Sequence, residues 1–122
     1  MATSNKDIIE RVNAAFAENS VEGFLAHCAD DVTWTMVGDT TVKGRDAIRK
    51  WMNSMDMEAP KFTIDAVIGE GDMVVAYGDM TMKNKEGKIA PYSYCDVYRL
   101  RDSKIVELRS FVVSIEPKLQ AT

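Results

Sequence analysis

One histidine, two cysteines and three prolines are all that 122 residues contain of those types, and these scarcities remove whole classes of function. With His27 alone and no carboxylates clustered at ligand spacing, neither a structural nor a catalytic metal centre is expected. His27 falls near the end of the second predicted helix, where a partial positive charge suits the helix C-terminus, so a surface role is expected for it. A Ser-His-Asp or Cys-His triad would have to recruit His27 from the helical layer, and nothing near Ser110 or Cys95 argues for one. Cys28 and Cys95 have no CxxC spacing and read as free thiols in a reducing cytosol. No apolar run could cross a bilayer, and Met1 to Asp7 lacks a signal peptide's apolar stretch, so a cytoplasmic protein without a membrane partner is expected. Basic residues are scattered, 15 against 19 acidic for a net charge of −4, which argues against nucleic acid as a partner. Gly69-Glu70-Gly71 belongs to a hairpin and not to a phosphate cradle, so no nucleotide is implied and no cofactor is expected.

What the chain does have is a globular composition, 46% hydrophobic and 28% charged, over a length suited to one domain spanning residues 1–122. Ser4 or Asn5 can cap a first helix whose Ile9, Val12 and Phe16 make an apolar stripe. Ser20 can cap a short second helix carrying Phe24, Leu25 and Cys28. Residues 32–37 alternate as a first strand, Gly38-Asp39 turns, and Gly44 precedes a third helix with Ile48, Trp51, Met52 and Met55 on one face, ended by Pro60. Beyond it Phe62, Ile64, Ala66 and Ile68 alternate as one strand, and hairpins at Gly69–Asp72, Asn84–Gly87 and Arg101–Lys104 join three longer ones. The order α-α-β-α-β-β-β-β implies an α+β domain with a bent, mainly antiparallel sheet packed by helices on one side. Three short helices cannot cover four long strands. Cys95, Val97, Ile105, Phe111 and Val113 are therefore expected to form an outer apolar patch, and a homodimer through the sheet is the expected association.

The most informative segment is Tyr92 to Leu100. A period of two puts Tyr92, Tyr94, Asp96 and Tyr98 on one face, so one carboxylate stands in a row of aromatic rings. An ionised Asp there loses hydration and must find hydrogen bonds, find a cation or take up a proton. Asp96 is a candidate acid or hydrogen-bond donor. The alternative is a structural Asp bonded to a tyrosine hydroxyl or an arginine.

The element order, Ala29-Asp30-Asp31-Val32-Thr33-Trp34, Val42-Lys43-Gly44-Arg45, and Asp96-Val97-Tyr98-Arg99-Leu100 with Lys104-Ile105-Val106-Glu107 resemble the nuclear transport factor 2-like superfamily, and within it the SnoaL-like group close to polyketide cyclases and ketosteroid isomerases. The resemblance implies a cone whose bent sheet and helices enclose a cavity. Tyr92, Tyr94, Asp96, Trp34 and Met36 would face inward, with Val106, Leu108, Ser110 and Val112 on the last strand. In ketosteroid isomerases a protonated Asp donates a hydrogen bond to the oxyanion, and its Asp-Val-x-Arg-Phe setting matches Asp96 to Leu100 here. Their general base, seven positions after the Ala of the Ala-Asp-Asp phrase, falls on Met36, and the first helix has no counterpart of their tyrosine. The acid-base Asp of SnoaL-like cyclases falls on Val113. A true steroid isomerase is disfavoured.

These readings assign a small, largely apolar or amphipathic molecule as the partner, with Asp96 as acid and Trp34, Met36, Trp51, Tyr92, Tyr94, Leu108 and Val112 as lining. A four-residue loop at Asn84–Gly87 would add Asp79 opposite Tyr92 and Tyr77 opposite Tyr94, whereas a loop one residue different turns both outward. Proton-transfer chemistry such as isomerisation, cyclisation, dehydration or hydrolysis is one outcome. A ligand carrier or sensor, or a dimerisation module with a filled pocket, are the others.

Overall fold

The fold begins where Ser4 accepts a hydrogen bond from the Asp7 amide at 3.1 Å and so caps α1 (Asn5–Ala17). In the computed structural model, which describes residues 4–54 and 61–115, this helix buries Ile8, Ile9, Val12 and Ala15 along one stripe. Ser20 caps α2 (Val21–Leu25) in the same way, through the Gly23 amide at 3.0 Å, and the helix buries Phe24 and Leu25. Cys28, expected on this helix, opens β1 (Cys28–Met36) instead, because the Ile105 amide donates to the His27 carbonyl and Cys28 pairs with Ile105. The turn at Val37-Gly38-Asp39 leads into a strand not foreseen, β2 (Thr40–Lys43), whose β-branched residues pair back on β1. The third helix, α3 (Arg45–Ser54), buries Ile48 and half-buries Trp51 and Met52, while Met55 and Pro60 lie outside the described residues.

The alternation from Phe62 to Ile68 does not make one strand. It splits into β3 (Lys61–Phe62) and β4 (Ala66–Glu70), with one extra residue between the pairs Phe62↔Met80 and Ala66↔Tyr77. That bulge exchanges the faces, so Val67 packs on the core while Ile64 and Ile68 are exposed. Gly78 makes room for it, since a Cβ there would collide with the Thr63 carbonyl. The remaining strands are β5 (Met73–Lys83), β6 (Ile89–Arg101) and β7 (Lys104–Ser114). The seven-stranded sheet runs β2-β1-β7-β6-β5-β3, with β4 also on β5, and is antiparallel except for β1 beside β7.

Two local irregularities set which side chains face the helices. Between β5 and β6, Lys83 pairs with Ile89 across five loop residues rather than four: the Asn84 side chain accepts from the Glu86 and Lys88 amides, and Gly87 takes a φ of 79°. Between β6 and β7, Asp102 and Ser103 turn at positive φ, and Val106 is then left unpaired between Leu100↔Ile105 and Arg99↔Glu107. This second bulge turns Ile105 into the core, fully buried, and removes it from the expected outer patch.

The core lies between the helices and the inner sheet face, around Phe24, Leu25, Tyr98, Leu100, Ile105 and Leu108. Each fully buried side chain of this size contributes about 1.5–3 kcal/mol. Among the described residues, no helix is long and apolar enough to cross a membrane.

Candidate functional site

The inner face of the sheet is built by alternate residues of four neighbouring strands. Trp34 and Met36 come from β1, Leu108, Ser110 and Val112 from β7, Tyr92, Tyr94, Asp96 and Tyr98 from β6, and Val74, Ala76, Gly78 and Met80 from β5. Asp96 sits near the middle of this surface, with Ala76 directly across on one side and Ser110 on the other. Ala76 offers no polar group. Among the described residues no basic side chain pairs with Asp96.

Burial is the main influence on this carboxyl and pushes it up from 3.8 to about 6, opposed by a hydrogen bond from the Ser110 side chain. Ser110 is itself buried, and its Oγ accepts from the Trp34 indole N–H at 2.9 Å. A hydroxyl has one proton to give. With Trp34 donating to the oxygen, that proton remains for Asp96. The three side chains thus form a directed chain from indole to hydroxyl to carboxyl.

The aromatic residues divide by role. Trp34 packs edge-on against Trp51, ring centroids 5.0 Å apart at 84°, and against Phe24 at 5.3 Å, so both tryptophans belong to one cluster with Phe16 and Phe24. Tyr94 donates its hydroxyl to the Thr63 carbonyl at 2.6 Å, which fixes the β3–β4 bulge; burial foremost, then Asp96, pushes this phenol up to about 12. Tyr92 and Val112 are half-buried on the inner face, whereas Leu108 is fully buried in the core. Met36 lies beside Ser110, where it supplies a thioether and no base.

Asp79 and Tyr77 do not join this surface. The five-residue loop puts Asp79 opposite Ser93 and Tyr77 opposite Cys95, on the outer face. There Asp79 is exposed and accepts from the Ser93 hydroxyl at 2.7 Å. With Phe111, Val113 and Cys95 these residues border a shallow outer depression of about 320 Å³. Both cysteines are free: burial pushes the Cys28 thiol up to about 12, and its sulfur donates to the Phe24 carbonyl. His27 is half-buried and its imidazole is held below the ordinary value, by burial first and then by Lys104 and Arg11. That is contrary to a cation stabilised at the helix end.

Among the described residues, Asn13 Nδ2 on α1, Arg45 Nε on α3 and the Tyr98 hydroxyl are buried without a hydrogen-bond partner, and a buried polar group in that state costs about 1–3 kcal/mol. Asn13 was visible as the one polar residue within the α1 stripe, next to Val12. Ser110, expected on the inner face, is found there, and its pairing with Asp96 follows from the register that the β6–β7 bulge sets. Among the described residues no group of three His, Cys, Asp or Glu side chains could hold a metal ion.

The same arrangement of helices and open sheet occurs in known structures. An NTF2-like protein of unknown function from Cytophaga hutchinsonii is 26% identical over 90% of this chain and 100% of its own, with a TM-score of 0.76. An LEH-like epoxide hydrolase of M. tuberculosis (16% identical, 88% and 81% covered, TM-score 0.76) and a candidate ketosteroid isomerase of Kribbella flavida (13%, 95% and 83%, TM-score 0.78) share the fold. No curated protein sequence matches the chain. The model of the SnoaL-like domain matches residues 9–108, which run from α1 through the strand that carries Asp96 to Leu108 on β7. The fold is NTF2-like, and the chain belongs to the SnoaL-like domain family.

Proposed function

We propose that the inner face binds a small, largely apolar molecule bearing a carbonyl, hydroxyl or epoxide oxygen, and that Asp96 delivers a proton or a hydrogen bond to that oxygen. The observation that carries this reading is a carboxyl on the inner face, opposite Ser110 and pushed up to about 6 by burial, with no cation beside it among the described residues. Such a group is protonated for part of the neutral range and can act as donor in one state and acceptor in the other. Trp34, Trp51, Met36, Tyr92 and Val112 supply an apolar, polarizable surround suited to the rest of the ligand. Members of this fold include proteins named for epoxide hydrolysis and ketosteroid isomerisation. The reaction class is cofactor-free proton transfer: isomerisation, cyclisation, dehydration or hydrolysis.

A second reading is favoured by one specific feature. Met36 stands where a strand-one base would be, and Asp79 faces outward, so among the described residues the strands of the inner face offer Asp96 without a second carboxylate. A carrier or sensor of the same ligand class needs only the donor. Turnover separates the two. The test is a panel of 2-cyclohexenone, styrene oxide and 2-naphthol, assayed for binding by titration and for conversion by chromatography, with the parent protein and Asp96→Asn. Conversion lost in Asp96→Asn supports the enzyme, binding weakened without any conversion supports the carrier, and equal behaviour of both proteins rejects a chemical role for Asp96.

We further infer a cytoplasmic homodimer through the outer sheet face. Tyr77 on β5 and Phe111 and Val113 on β7, either side of β6, are 41%, 38% and 61% exposed, an apolar area that a second copy would cover. Light scattering checks it.

A further inference from the structure

We propose that Ser110, held in place by Trp34, is the positioning residue of Asp96: it fixes which carboxyl oxygen accepts from the protein and so leaves the other oxygen to meet the ligand. The inference rests on the proton-donor reading of Asp96 and deepens it. Its ground is geometric. Ser110 lies directly across the β6–β7 ladder from Asp96, it is buried, and its Oγ takes the Trp34 N–H at 2.9 Å. An unanchored serine hydroxyl has several staggered positions and a free choice of donor direction. The indole narrows that choice by occupying one of the two acceptor positions of the oxygen. With the hydroxyl proton turned to Asp96, one carboxyl oxygen is engaged as acceptor, and a proton taken up by Asp96 is favoured on the other. The carboxyl is a donor in a fixed direction, without reorganisation when the ligand arrives.

The surroundings leave this relay as the tuning device. From β6 the titratable neighbours of Asp96 are the Tyr94 and Tyr98 phenols, with the Cys95 thiol on the opposite face. From β5 come Ala76, Gly78 and Met80, from β7 Leu108 and Val112, and from β1 Trp34 and Met36, none of which carries a charge. Burial foremost, then Asp96, Tyr94 and Cys28, pushes the Tyr98 phenol well above its ordinary value. Among the described residues, the Ser110 hydroxyl is the group that lowers the Asp96 carboxyl, and the Trp34 indole holds that hydroxyl.

The experiment follows the Asp96 carboxyl carbon by NMR titration in protein labelled at its aspartate carboxyls, so that it needs no ligand and no turnover. Ser110→Ala is expected to move the midpoint upward by about one pH unit, because the carboxylate loses its donor. Trp34→Phe is expected to move it upward by less, and to have no further effect in the Ser110→Ala background. Ser110→Thr, which keeps the hydroxyl, restores the parent midpoint. If Ser110→Ala does not fold, Ser110→Cys keeps the volume, weakens the donor and carries the same expectation. A midpoint unchanged on loss of the hydroxyl overturns the proposal, as does a Trp34→Phe shift of full size in the Ser110→Ala background. Because the titration is read in the free protein, failure of the relay is separate from failure of Asp96 in catalysis, which the Asp96→Asn assays report.

Discussion

The sheet carries the same chemical pair twice, an aspartate facing a serine across neighbouring strands, once on each side. Asp79 and Ser93 form it on the outer face and Asp96 and Ser110 on the inner one. On the outside both the carboxylate and its 2.7 Å hydrogen bond are open to water, and such an exposed contact contributes little. On the inside the carboxyl has lost its hydration and has one serine in return, which is too little to restore its ordinary acidity. Residue type and pairing are equal in the two places. The difference is the helical layer over one face, and it converts a solvated surface contact into a group poised to exchange a proton near neutrality.

The sharpest way to break this comparison is to neutralise each aspartate in turn. Asp96→Asn is expected to lower turnover of any substrate in the proton-transfer class by at least about 100-fold, while Asp79→Asn stays within about twofold. Stability should move the opposite way from activity. Folding raises the Asp96 carboxyl from 3.8 to about 6, so between those values the folded chain holds a proton that the unfolded chain has released. Stability therefore falls as pH rises across that window, by up to about 3 kcal/mol, and is flat above it. Asp96→Asn should remove the fall, leaving the variant more stable than the parent at pH 7.5 and nearly equal to it at pH 4. Denaturant unfolding at both values checks the sign; a variant less stable at pH 7.5 would mean that the carboxylate is a structural anchor.

The outer face is sharpened by a charge placed among its apolar residues. Phe111→Glu, on the exposed side of β7, is expected to weaken self-association by about 100-fold, as removal of a central aromatic anchor does. Sedimentation equilibrium reads it. Diluted until both are monomeric, the variant should unfold like the parent, since Phe111 lies away from the core.

Between the faces, Gly78→Ala tests what lets β5 run close under the β3–β4 bulge. A Cβ at that position meets the Thr63 backbone, and the bulge also accepts the Tyr94 hydroxyl. A loss of about 2–3 kcal/mol is expected, in the range of overpacked sites where backbone must shift. Thermal unfolding measures it.

The legible part of this molecule was whatever a period or a cap writes locally. The caps at Ser4 and Ser20, the α1 stripe and the Asp96 face were all readable because each depends on residues a few positions apart. Register was not. Whether Asp79 faces in or out depended on a loop of four or five residues, and the fifth came from the Asn84 side chain bonding two amides of its own loop. Ile105 was misplaced for a similar reason: Val106 bulges out of the ladder, and the alternation counted back from Phe111 and Val113 reverses before it reaches Ile105. The partner of Asp96 suffered most. A regular ladder continued from Arg101↔Lys104 would have faced Asp96 with Arg109, and the bulge replaces that cation by Ser110. One inserted residue decides between an ion pair and a protonatable acid.

The smallest expected effect concerns the Tyr98 hydroxyl, two positions along the inner face from Asp96. Tyr98 is fully buried, its hydroxyl has no hydrogen-bond partner among the described residues, and burial pushes the phenol well above its ordinary value. Deleting an unsatisfied hydroxyl while keeping the ring removes a desolvation cost and leaves the packing intact, so Tyr98→Phe should be neutral or stabilising by up to about 1 kcal/mol. A typical buried tyrosine with a satisfied hydroxyl would lose stability by a similar amount. The sign of this change, read by thermal unfolding of the ligand-free protein, tells whether the hydroxyl is idle in the resting fold. An idle buried donor beside Asp96 is available to a second oxygen of the ligand; one already satisfied is part of the core, and Asp96 then acts as the single polar contact of an otherwise apolar surface.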